Sequence, residues 1–153
     1  MEEFFASIYE WWGLNPIYSL GMAEHLRGWD ITCSAYIGTH WYVYVGVISI
    51  IIICFIYALQ YHIIDSPRFM RKYHWWLMAC LISALNYFIA FIIPFNSIQS
   101  LNFCTDLNLT IADCFGFGMT NAIWSFIFFT IITSIPWIRR LSRNCAHTTF
   151  WRP

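Results

Sequence analysis

Side chains capable of chemistry are few in this chain, and their spacing excludes more than it suggests. The six cysteines form no CxxC pair and no Cys/His zinc spacing, so neither a dithiol redox centre nor a metal cluster is expected. His62 and Asp65 stand one helical turn apart with His74 nearby, a spacing that could hold a metal or sense pH. Each of these histidines, like His40, falls at the end of an apolar run where an imidazole reaches water, so solvated interfacial residues are the simpler reading. No Ser/His/Asp set, no paired carboxylates and no glycine-rich phosphate loop is present. The expectation is therefore a protein that is not an enzyme and has no cofactor.

The remaining polar candidates lie inside apolar stretches and are amides and hydroxyls. From Gly116 to Pro136 there is no charge, yet the segment carries Thr120, Asn121, Ser125, Thr130 and Thr133. At helical periodicity Gly118, Asn121, Ser125, Phe129, Ile132 and Thr133 share one face. Hydrocarbon cannot hydrogen-bond Asn121, so this face must meet a helix, a partner subunit or water. Residues 73–95 show a matching face through Ala79, Cys80, Ser83, Asn86, Tyr87 and Ala90. Residues 38–61 show another through Tyr42, Gly46, Ser49, Ile53, Tyr57 and Gln60.

These elements define the class. The 153 residues are 59% hydrophobic, 21% aromatic and 10% charged, the last far below the quarter or so of a globular protein. The run from Trp41 to Leu59 alone would extend roughly 28 Å as a helix, close to a bilayer core. The fold class expected is all-α integral membrane, one membrane domain over 1–153 with spans at about 38–61, 73–95 and 115–138. Ionisable residues are missing from those spans, which argues against proton-coupled transport or intramembrane catalysis. The formal net charge of +0 gives no reason to expect nucleic acid.

Residues 1–30 alternate apolar and acidic positions, with Phe4, Phe5, Ile8, Trp11 and Trp12 at helical spacing. They are expected to form short interfacial amphipathic helices on the membrane surface, the second starting near Asn15-Pro16 and running toward Arg27. The acidic start MEEFF lacks the basic region of a cleavable signal peptide. Arg68, Arg71 and Lys72 in one connection and Arg139, Arg140, Arg143 and Arg152 in the tail 139–153 put those segments in the cytoplasm and the N-terminus outside. On that side lie Cys33, Cys104 and Cys114. Cys104 to Cys114 is the expected disulfide, with Cys33 as an alternative partner or a free thiol. Three minor signals carry little weight: the sequon Asn108-Leu109-Thr110, Ser142 beside Arg139 and Arg140, and the Gly116-Phe117-Gly118 segment, which suits a pore entrance or a helix-start turn equally.

The order of three spans, the acidic outer N-terminus and the basic inner tail resemble, in architecture, the small multi-span effectors of bacterial antiviral systems. That resemblance implies an inner-membrane protein that permeabilises the bilayer when a regulatory protein or nucleotide signal releases it. With the aligned polar faces it leads to the expectation of a homo-oligomeric ion channel or pore, lined by Gly118, Asn121, Ser125, Phe129, Ile132 and Thr133 and contacted through Ser83 and Asn86. The alternative is an accessory or assembly subunit whose polar faces bind the helices of a larger membrane complex.

Overall fold

The computed structural model describes residues 2–10, 17–63 and 72–135. Within them the chain is all-helical: α1 (Glu2–Glu10), α2 (Leu20–Arg27), α3 (Trp41–Ala58, extended by a π-helical turn Leu59–Ile63), α4 (Lys72–Gln99) and α5 (Ile111–Ser134). Three helices are long and apolar enough to cross a membrane, over Trp41–Ile63, Tyr73–Gln99 and Ile111–Ser134. They suggest a membrane location. The basic connection at Arg68 and Arg71, the tail with Arg139, Arg140, Arg143 and Arg152, and the end of the third span beyond 135 lie outside the described residues.

Local chemistry sets where the helices begin and end. Ser19 caps α2, its hydroxyl accepting from the Met22 N–H, and Gly28 ends it in the left-handed region at φ 97°. The Gly28 and Trp29 N–H groups then close onto the carbonyls of His25 and Glu24, the Schellman pattern that such a glycine permits. α5 starts at Ile111, four residues before the expected 115, because Thr110 and Asp113 form a reciprocal capping box. The same Asp113 carboxylate accepts from the Ser19 N–H at 2.8 Å, so one acid fixes the starts of both α2 and α5. α4 continues through Pro94 to Gln99, beyond the expected 95.

Burial on α4 follows Trp75, Ala79, Ile82, Asn86 and Ala90, a single stripe at helical spacing. It is turned slightly from the expected face, so that Cys80 is exposed, Ser83 only half-buried, and Ile82 takes the central place. α4 and α5 form the most extensive pairing. They approach closely where Gly118 faces Tyr87, since a Cβ at 118 would stand 2.9 Å from that ring. Two apolar clusters result. One, around Phe5, Tyr9, Tyr42 and Phe117, joins α1 and α2 to one half of the long helices; the other, around Ile53, Trp75, Ile82 and Phe129, fills the opposite half. Outside, Ile48, Ile51, Phe55, Leu81, Phe88 and Ile127 stand exposed, a surface that lipid or other helices would cover.

The N-terminal segment packs against the bundle. α1 lies against α3 and α5, with Phe5 and Tyr9 buried. Phe5 occupies the space above Gly46, where a Cβ would meet its ring at 2.2 Å. Residues 11–16, which include the expected start signal at Asn15-Pro16, lie outside the described residues, and α2 begins at Leu20.

The disulfide also corrects the expectation. Cys104 bonds Cys33, 71 residues away, while Cys114 is a buried free thiol in the first turn of α5 that donates to the Thr110 carbonyl. Helical geometry explains it: Cys114 turns inward to the core, whereas Cys104 lies in the connection that meets the 28–40 loop. In the chain-entropy limit a loop of this length is worth roughly 4 kcal/mol. Cys114→Ser should therefore leave the bond intact and Cys33→Ser abolish it, as read by mass after alkylating the denatured, unreduced protein. Loss of the bond should also lower the thermal midpoint.

Candidate functional site

The polar faces converge on one side chain. Asn121 is 1% exposed at the centre of the bundle. Its Oδ1 accepts from the Tyr9 hydroxyl at 2.7 Å and the Ser49 hydroxyl at 3.2 Å, and its Nδ2 donates to the Asn86 carbonyl at 2.8 Å. One amide thus joins α5 to α1, α3 and α4. Thr133 accepts from the Trp75 indole N–H at 3.2 Å and donates back to the Phe129 carbonyl, a second link between α4 and α5.

Of the residues expected to line a pore or contact a helix, Gly118, Asn121, Ser125, Phe129 and Thr133 are all buried within the protomer, Ile132 is half-buried beside them, and Asn86 is fully enclosed. Ser83 lies at the edge of the same seam. Gly116 and Gly118 serve close packing: a Cβ at 116 would collide with the Ile17 carbonyl at 1.9 Å. The arrangement reads as helix contact. Several polar atoms at this depth have no partner, among them the Asn86 carboxamide and the Ser83, Ser125 and Trp124 side-chain groups.

Sequence reasoning missed the tyrosines. Tyr9 stacks on Tyr42 with ring centroids 5.4 Å apart, and Tyr18 hydrogen-bonds both the Tyr42 hydroxyl and the Tyr9 carbonyl. Glu10 reaches Tyr42 and forms an ion pair with Arg27, its Oε1 accepting from Nε at 2.8 Å. Polar contacts therefore continue from the surface to Asn121. Burial raises the Tyr9 phenol well above its ordinary value and pushes Tyr18 up to about 12, so both are neutral donors throughout the physiological range. The amphipathic reading of this region rested on Phe4, Phe5, Ile8, Trp11 and Trp12, and with Tyr9 beside Glu10 and Tyr18 beside Ser19 no local signal marks either tyrosine as a bundle contact.

Above the seam sits a cap of α2, the 28–40 loop and the 100–110 connection. His40 hydrogen-bonds the Arg27 carbonyl at 2.7 Å, and Tyr36 donates to Glu24. A cavity of about 460 Å³ opens beside them, lined by Glu3, Glu10, Arg27, Tyr36 and His40. Asp106 lies close to Cys33 and Cys104, whose sulfurs are already bonded to each other. His62 packs on Tyr57 and His74 on Tyr73, while Asp65 lies outside the described residues. No protein-family model matches the chain, nor does any curated protein or solved structure.

Two outcomes follow from these contacts. Tyr9→Phe should cost about 0.6–1.7 kcal/mol, the range for a hydrogen bond between membrane helices. Asn121→Leu should cost more, about 2 kcal/mol, because it leaves the Tyr9 and Ser49 hydroxyls unpaired; thermal unfolding in detergent measures both. His25 in the cap is 5% exposed, neither ring nitrogen has a partner, and burial holds its pKa below 6.5. The unfolded chain then binds the proton more readily, so the cap loses stability as pH falls through about 6.5 toward the lower folded value. Amide exchange in α2, corrected for its intrinsic pH dependence, should accelerate between about pH 7.5 and pH 5.5. His25→Phe should remove that dependence.

Proposed function

We propose that this chain is a small, non-enzymatic integral membrane subunit that works by helix contact. It crosses the bilayer three times, holds its disulfide-linked cap outside and its basic tail inside, and offers the apolar outer faces of α3 and α4 to the helices of a larger membrane complex. One observation carries this reading. Two of the polar groups that would have lined an axial pore are engaged within the protomer, Asn121 by Tyr9, Ser49 and the Asn86 backbone carbonyl and Thr133 by Trp75. The exterior left to partners is apolar. The orientation draws support from the Cys33–Cys104 bond, which suits an oxidising compartment, and from the arginines of the opposite connection and tail.

A second reading keeps the homo-oligomeric channel: an effector of bacterial antiviral defence in the inner membrane, opened by a regulatory protein or nucleotide signal. It is favoured by α1, a separate nine-residue helix that covers the faces of α3 and α5 bearing Ser49 and Asn121. Withdrawal of α1 would bare that polar face to an axis shared between copies.

Mass in detergent and single-channel recording of the purified protein separate the two. The subunit reading expects a monomer that copurifies with a different membrane protein, no conductance, and an Asn121→Leu variant that is only less stable. A stable homo-oligomer whose conductance changes in Asn121→Leu or on deletion of residues 1–10 overturns it in favour of the channel.

A further inference from the structure

The cavity of about 460 Å³ beside the cap has charge of both signs and an apolar wall: Glu3 and Glu10 of α1 and Arg27 of α2 line it together with Ala6, Leu26 and Val43. The charges are unequally satisfied. Two N–H groups of the Arg27 guanidinium meet Glu10, and the rest of its donor fork has no partner among the described residues, on a side chain 43% exposed. The Glu3 carboxylate is exposed and has neither a hydrogen-bond nor an ion-pair partner among them. One open cavity thus presents an unpaired acceptor and spare cationic donors. A simple cation would also face the Arg27 charge and a simple anion the Glu3 charge, whereas a zwitterion with amine and phosphate a few ångströms apart meets both.

The membrane placement proposed above, on which this inference rests, narrows the source. Val43 lies two residues, about 3 Å, inside the span that starts at Trp41, and Phe5, two positions after Glu3, covers Gly46. The cavity therefore sits where headgroups meet acyl chains, and Ala6, Leu26 and Val43 give it a wall that an acyl chain can follow. Only an amine with N–H groups can donate to Glu3. Tyr42 is stacked under Tyr9 and 2% exposed, which leaves no aromatic box for a quaternary ammonium.

We infer that this cavity holds the headgroup of a phospholipid with a primary amine, its ammonium donating to Glu3, its phosphate accepting from the unused Arg27 donors and an acyl chain leaving past Val43. The site is the same whether the chain acts as a subunit or as a channel.

The test uses the full chain in detergent micelles and native mass spectrometry, with dioleoylphosphatidylethanolamine as probe. Dioleoylphosphatidylcholine, which keeps the phosphate but has no amine N–H, and dioleoylphosphatidylglycerol, which has no cation, are the controls. One saturable site is expected for the ethanolamine lipid, with both controls weaker by roughly tenfold. Glu3→Gln should bring the ethanolamine lipid down to the level of the choline lipid and, since Glu3 is unpaired, should melt with the wild type. Soluble O-phosphoethanolamine in about hundredfold excess should not displace the lipid; displacement assigns the site to a free headgroup compound and overturns the lipid. Equal affinities for the ethanolamine and choline lipids, no saturable site, or a preference that survives in folded Glu3→Gln overturns the site. Should the variant fail to fold, the three lipids on the wild type decide alone. A chain that stays soluble without detergent overturns the bilayer placement and the site with it, whereas a detergent-bound chain without lipid preference overturns only the site.

Discussion

A carboxamide placed far from water is costly to leave unpaired, and Asn121 finds its partners on three other helices. Its oxygen takes the hydroxyls of Tyr9 and Ser49, and its nitrogen uses a lone pair of the Asn86 carbonyl. Each bond of this kind is worth less than about 1 kcal/mol on average, so the cluster is a weak adhesive. Its effect is geometric. A rotation of α5 by one residue would leave every partner unmet, and register follows from that penalty. Attraction comes from the packing around it, where Phe5 covers Gly46, Tyr87 covers Gly118, and Trp75 stacks on Phe129 at 5.7 Å.

The cap obeys a related constraint. A helix as short as α1 or α2 does not persist alone in water. Both are fixed by contacts distant in sequence: Ser19 to Asp113, Glu10 to Arg27, Tyr9 to Asn121. The Cys33–Cys104 bond ties the loop after α2 to the connection before α5. Cap and bundle are therefore mutually dependent, because Asp113 begins α5 and anchors the start of α2 with the same carboxylate.

The long helices were legible in the sequence because hydropathy over a span is a large summed signal, and their inner faces because glycine, serine and asparagine recur at helical spacing. Gly118, Asn121, Ser125, Phe129 and Thr133 are buried where periodicity puts them. The α4 face was displaced by one position, since Ser83 and Cys80 carried weight there that belonged to Ile82. The start of α5 was recoverable from Thr110 and Asp113, a capping signature overlooked beside the glycines. Two features were harder. Amphipathicity is the same whether the apolar face meets headgroups or a groove between helices, so the contacts of Phe5 with Gly46 and of Tyr9 with Asn121 were not legible. The disulfide joins segments 71 residues apart, and sequence proximity favoured Cys114, which the first turn of α5 points into the core.

What α1 covers bears on either mode of action. With Tyr9 in place, the Asn121 oxygen is doubly occupied and Asn121 is buried. Removing α1 from a single protomer would expose the Asn121 oxygen and the Ser49 hydroxyl to hydrocarbon and also uncover Gly46 beneath Phe5, a loss of both polar and apolar contacts. Such a state becomes accessible only if water or another copy meets the exposed groups at the same moment. A pore built on α5 therefore requires assembly and α1 withdrawal to be coupled, and a subunit that acts by contact alone requires α1 to stay. The nine residues of α1, more than the long helices, distinguish the two.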